Sequence, residues 1–341
     1  MPLPVLFIAV PAVLGSTGVG LTAKAGVDHH AAKKLNDKSN LRIENAGLKL
    51  EKLREECGTS LQKLGEEKLF VLNNSIKNFV DLFGQLKNVD FRNTIGLEEL
   101  EKFHIDKKEF EELEKMSMFT LSVGEGAVAG VAGGALAAFG AYSAAGMFAT
   151  ASTGTAIASL SGAAASNATL AFFGGGALSA GGLGMAGGTA VLGGIVAGPA
   201  LLVMGIITGA KAGKDLENAK ANAAKANEIC EQFENGALQC IAIRRRTYMF
   251  YNLLAHLDCF LTPLCFDMER IIAEEGTDYS TFCQENKKTI ACAASVAVTV
   301  KAVLDTPILT EEGNLTDKSL KAIENVNDDI SRIEKIKRKA W

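Results

Sequence analysis

The sequence predicts an all-α protein in which long amphipathic helices, of bundle or coiled-coil type, flank a Gly/Ala-rich glycine-zipper transmembrane helical hairpin region. Three observations predict it. Apolar residues form 48% of the 341-residue chain but aromatics only 6%, so Ala, Val, Leu and Ile supply the apolar mass, beside 35 glycines. That balance suits closely packed helices better than sheets. In the charged parts, apolar residues recur at steps of three and four, the helical period. Charge itself comes in blocks: 24–115 and 211–341 are charged, while 116–210 is nearly free of charge. A net charge of -4 argues against a protein that coats nucleic acid.

Taken in order, residues 3–23 are apolar and lack the basic residues that precede the apolar stretch of a signal peptide, so 1–23 reads as a retained membrane or core segment. The first charged region opens a long amphipathic helix through Leu50, Leu53, Cys57, Leu61 and Leu64, continued by Leu69, Leu72, Ile76, Phe79 and Phe83. Asn88, Val89 and Asp90 mark a turn. A shorter acidic helix follows over 97–115, with Leu100, Phe103, Phe110 and Leu113 on one side. Beyond the centre, a helix is expected from Lys211 to Leu261, stopped before Pro263, and another from Ser280 to Leu304, stopped before Pro307. The last begins at Thr316; Ile323, Val326, Ile330 and Ile333 give it a short coiled-coil seam expected to pack back on the first long helix.

Between Lys115 and Lys211 the only formal charge is Glu125, where this chain's 22% charged content would place about twenty. A hydrocarbon core takes about 20 residues per helical pass, which makes 116–210 a membrane-inserting region. Its strongest span is Thr189–Ala210. Gly126, Gly130 and Gly134 stand four apart, as do Gly205, Gly209 and Gly213, with pairs at Gly184/Gly188 and Gly194/Gly198. Such glycines let helix backbones approach closely in lipid, or line a pore. From Ala135 to Ala186 small residues offer little apolar area, so this stretch is expected to be a conditional insert, held by protein in one state and by lipid or pore water in another. Glu125 is the one charge placed to act in gating. Lys24, Lys33 and Lys34, and Lys211, Lys214 and Lys220, follow the two apolar stretches and place both charged regions on the cytosolic side. Seven scattered cysteines without a CxxC pair fit a reducing compartment better than a disulfide framework.

Enzyme chemistry finds no foothold. Gly182, Gly184 and Gly187 match a dinucleotide fingerprint by chance, with no strand before them and no acidic residue beyond. Gly209–Asp215 lacks the spacing and the hydroxyl of a phosphate loop. His256, Cys259 and Cys265 read as apolar packing at a helix end rather than as a metal site, and His29 and His30 as a solvated helix start. No catalytic residue, metal or cofactor is assigned. The feature with ligand character is Arg244, Arg245 and Arg246 with Tyr248 and Tyr251: guanidinium groups hold phosphates and rings stack on bases, so an oligonucleotide or a lipid headgroup would suit it. A basic face whose rings belong to the core is the plainer reading of the same residues.

The block from Ala151 to Leu170, followed by Gly174, Gly175 and Gly176 and by Gly187 to Gly194, resembles a bacterial family of glycine-zipper membrane proteins. Met1, Pro2, Leu3 and Pro4 and the Lys/Glu helix near Leu64 and Gly65 look like that family too. Within it, the chain resembles membrane effectors of Hailong-type anti-phage defence. The resemblance implies an oligomeric ion channel in the bacterial inner membrane, kept shut by a single-stranded DNA oligomer from a companion nucleotidyltransferase. A homo-oligomer is expected, a tetramer or another closed ring, because one polar-lined hairpin pair encloses no pore. A non-conducting membrane-docked scaffold and a secreted α-helical pore-forming toxin are the alternatives.

Overall fold

The computed structural model describes residues 22–91, 110–117, 139–141, 216–310 and 313–340. Helix is the only regular structure among them, and the order is α1 (Thr22–Val71), a π turn (Leu72–Ile76), α2 (Lys77–Phe83), α3 (Leu216–Glu275), a 3-10 turn (Tyr279–Thr281), α4 (Gln284–Leu304) and α5 (Asp317–Ala340). Residues 110–117 and 139–141 are also helical.

α1 and α3 run side by side in the same direction. Asn36 bonds Asn222, Arg42 bonds Asn227, Glu56 pairs with Arg244, Ser75 bonds Asp258, and Lys87 exchanges main-chain bonds with Thr277 and Tyr279. Partners rise together along both chains, so the pair is parallel. Its seam is a heptad repeat: Ile43, Leu50, Cys57, Leu64 and Val71 on α1, and Ala226, Phe233, Cys240, Thr247 and Leu254 on α3, are all buried. Gly236 lets Leu50 approach the α3 backbone, and Gly47 admits the Phe233 ring.

The expected stop before Pro263 is wrong: α3 continues through this proline to Glu275. An interior proline loses one helical hydrogen bond and costs about 3 kcal/mol. Here Leu257 and Leu261 before it, and Cys265, Met268 and Ile271 after it, are buried on one continuous face, and their burial outweighs that loss. The π turn of α1 lies at the same height. Ser75 Oγ bonds Asp258 and sits 3.3 Å from Thr262 Oγ1, while Cys265 Sγ donates to Ser75 O at 3.8 Å. Both helices therefore interrupt their ladders together, and side chains from α3 meet the loosened turn of α1.

Gly276, at a φ of 84°, ends α3 in the left-handed conformation that glycine adopts without strain. α4 follows, buried almost all round from Ile290 to Leu304, as its run of alanines and valines requires. It ends ahead of Pro307, as expected. α5 packs against α3 and α4, where the sequence pointed to the first helix. The reason is that Ile323, Val326 and Ile330 define an apolar stripe without naming its partner, and α3 already covers the apolar stripe of α1. At the far end, Phe83 stacks with Phe79 at 5.2 Å and meets Phe110 at 5.4 Å, docking the 110–117 helix, whose Leu113 and Met116 are buried. α3 is the one described helix long and apolar enough to cross a membrane, a property that core helices of soluble proteins share.

Candidate functional site

The most unusual chemistry lies where the charged helices meet the edge of the Gly/Ala centre. Lys68 falls seven residues after Leu61 and four after Leu64, so the helical period turns it into the core, where it is fully buried. Its ammonium donates to the Phe139 carbonyl at 2.9 Å and the Gly140 carbonyl at 3.3 Å, and lies 5.5 Å from the centre of the Phe139 ring. Burial pulls its pKa down to about 7, against the opposing pull of the Asp305 carboxylate.

The same three central residues are held from the other side. Ile308 and Leu309, in the connection between α4 and α5, both donate their amides to the Ala141 carbonyl, at 2.8 and 3.1 Å. A Cβ on Gly140 would overlap the Leu61 carbonyl and crowd the Gly65 amide, so two glycines let the segment cross α1 backbone to backbone. Lys301 completes the cluster, reaching Asp305 at 2.9 Å and Glu112 of the 110–117 helix at 2.8 Å. Phe139–Ala141 is thus clasped by α1 and the α4–α5 connection, and the helix leading into the centre is tied to α4. Chemically this is a holding device: it offers buried donors to main-chain carbonyls.

Of the central region expected to insert into membrane, 116–117 and 139–141 are described, and both lie against the helical body. Glu125 and Gly126, Gly130, Gly134, Gly184, Gly188, Gly194, Gly198, Gly205, Gly209 and Gly213 lie outside the described residues, as do the Thr189–Ala210 span and residues 1–21.

The three arginines do not converge. Consecutive helical positions point about 100° apart, and here Arg244 pairs with Glu56 of α1, Arg246 donates to Ser319 Oγ of α5 at 2.7 Å, and Arg245 is exposed. Tyr248 is exposed beside Arg244 in an open groove of about 410 Å³ that Glu55, Glu56 and Thr59 also line. Tyr251 is half-buried next to Glu67, whose carboxylate raises the pKa of the phenol. A phosphate in this groove reaches Arg244 only by displacing Glu56, and Arg245 is not among the residues that line it.

His256, Cys259 and Cys265 separate as well, and the expectation that all three are core holds for Cys265 alone. His256 and Cys259 are exposed, because the apolar face of α3 at this height is Leu254, Leu257 and Leu261. His30 is exposed, as expected, but it lies inside α1 rather than at a helix start, because α1 already begins at Thr22. No cluster of metal-ligating side chains occurs among the described residues.

Sequence reasoning missed Lys68, Lys301 and Asp305. Lys68 carried a signal: a lysine in phase with Leu61 and Leu64 where the seam asks for an apolar residue. Lys301 and Asp305 carried none beyond their spacing of four on one helix.

Comparison of the chain with protein-family models, with curated proteins and with solved structures finds no match.

Proposed function

We propose that the protein is an oligomeric membrane pore whose Gly/Ala centre conducts ions and whose helical body restrains that centre until a ligand leaves. The observation that carries this reading is the parallel course of α1 and α3. Both helices follow uncharged stretches of sequence, and they begin at the same end of the body, so the two apolar stretches join it from one side. A membrane at that end would receive both. The clasp on Phe139–Ala141 supports a resting state in which part of the centre is retained by protein. Leu41 and Leu48 on α1 and Leu238, Ile241 and Tyr248 on α3 leave exposed apolar side chains along the rod, which suits packing of further copies into a ring, with a tetramer as the working stoichiometry.

The ligand that fits the groove beside Tyr248 is an oligomer carrying phosphates and bases, in keeping with the resemblance to anti-phage effectors held shut by single-stranded DNA. Replacing Arg244, Arg245 and Arg246 together by Ala is expected to weaken binding of labelled single-stranded DNA and to reduce its salt dependence. Glu56→Gln, which frees Arg244, is expected to strengthen it. Unchanged affinity in both variants at two salt concentrations removes this groove from the reading.

Conduction is tested by dye and ion leakage from liposomes containing purified full-length protein, with and without added oligonucleotide. Leakage that the oligonucleotide suppresses is the expected result. Tight liposome binding without leakage in either condition selects a non-conducting scaffold, a reading that the retained Phe139–Ala141 segment also accommodates.

A further inference from the structure

Two of the cysteines meet in the middle of the α1–α3 seam. Cys57 belongs to the series Ile43, Leu50, Cys57, Leu64, Val71, and Cys240 to the series Ala226, Phe233, Cys240, Thr247, Leu254. In a parallel pair, residues at the same heptad position on the two helices fall in one layer. The bracketing contacts agree, since Leu50 meets Gly236 before this layer and Glu56 pairs with Arg244 at its edge. The two thiols are near enough to shift each other's proton affinity, and both cysteines are buried and unoxidised. A disulfide needs Cβ atoms about 4 Å apart, and facing positions in one layer of a parallel pair are where the two helices come nearest to that demand.

The surroundings favour exchange chemistry over inert packing. Arg54, 4% exposed, stands one turn before Cys57 and acts electrostatically on Cys240, while Arg244 acts on Cys57. The neighbouring Cys57 thiol, together with Arg54, lowers the pKa of the Cys240 thiol against the effect of burial. The same neighbour relation, with burial, pushes Cys57 up, against the opposing pull of Arg244. One sulfur is thus prepared to attack as thiolate and the other to follow. The groove lined by Glu55, Glu56, Thr59, Arg244 and Tyr248 flanks the layer, through Glu56 next to Cys57 and Arg244 one turn beyond Cys240.

We propose that Cys57 and Cys240 are a redox site, forming a reversible interhelical disulfide with a low-molecular-weight disulfide as oxidant and locking α1 to α3 in this register. The Cys240 thiolate attacks one sulfur of the small disulfide, forming a mixed disulfide and releasing one small thiolate. Cys57, giving up its proton to solvent, then attacks the Cys240 sulfur and expels the second small thiolate. Two protein thiols are oxidised and one small disulfide is reduced to two thiols. The inference rests on helix register and holds whether or not the protein conducts.

Full-length protein is incubated with oxidised glutathione, digested without reduction and analysed by mass spectrometry, with thermal melting in parallel. A peptide pair linked through Cys57 and Cys240 is expected, together with a rise in Tm that dithiothreitol reverses. The link must survive in a Cys259→Ser/Cys283→Ser variant, which leaves the buried pair intact and removes the two exposed cysteines. It must be absent from Cys240→Ser. Recovery of Cys57 and Cys240 as free thiols while Cys259 and Cys283 carry glutathione overturns the proposal.

Discussion

Gly140→Ala is expected to detach Phe139–Ala141 from the helical body, although it adds a single carbon. That carbon would overlap the Leu61 carbonyl, which is backbone and has no rotamer by which to move aside. Detachment forfeits the two bonds from Lys68 and the two amide bonds to the Ala141 carbonyl. At about 1 kcal/mol net for each bond, the loss is about 4 kcal/mol, well above an ordinary surface substitution. Amide hydrogen exchange is the direct readout, because the Ile308 and Leu309 amides lose their shared acceptor and should exchange far faster in the variant. Unchanged protection at both amides would show that the close crossing is not maintained. If the pore reading is right, the variant also leaks from liposomes without removal of any ligand. Exchange and leakage are separate readouts, so failure of one does not conceal the other.

The second large effect concerns Lys68 and pH. Its folded pKa, about 7, lies below the roughly 10.5 of an unfolded lysine, because burial penalises the charge more than Asp305 supports it. Between these values the unfolded chain binds a proton that the folded chain has released. Stability attributable to Lys68 therefore rises with pH across that window and is flat below it. A neutral amine still donates to the Phe139 and Gly140 carbonyls, so the clasp persists through the titration. Lys68→Met keeps the length and removes the donor. The stability of wild type relative to Lys68→Met should rise from pH 7 to pH 10 by about 3–4 kcal/mol, at about 1.4 kcal/mol per pH unit over most of the window, read as a rising difference in Tm. A difference that stays constant across the window would mean that Lys68 remains charged in the fold.

Much of the architecture was legible because burial in a helical body leaves a period in the sequence. Leu50, Cys57, Leu61 and Leu64 announced α1, and the apolar run ahead of Pro307 announced α4. Direction and partnership left no such trace. A heptad seam reads the same whether its partner runs parallel or antiparallel, and the stripe of Ile323, Val326 and Ile330 accepts either α1 or α3 equally well. Pro263 misled for a related reason: a proline states the local loss, whereas the face of Leu257, Leu261, Cys265 and Met268 that overrides it is visible only against α1. Lys68 was hidden by its chemistry, since a lysine in a Lys/Glu-rich helix passes for a solvated charge until its phase is compared with the leucines around it. The arginine triplet shows the converse. Adjacency in sequence suggested one clasp, and helical rotation sent the three side chains to α1, to solvent and to α5.

The parallel course of α1 and α3 also settles how the body carries load. A pull on the starts of both helices, such as the proposed membrane would exert, acts on them in the same sense, so they travel as one strut and their shared seam feels almost no shear. In an antiparallel pair the same pull would slide one helix along the other. Here the force passes instead to whatever anchors the strut sideways: the contacts of α4 with α3, and the crossing where Gly140 lies against Leu61. Tension at that end is therefore felt first at the clasp, while the long interface stays in register.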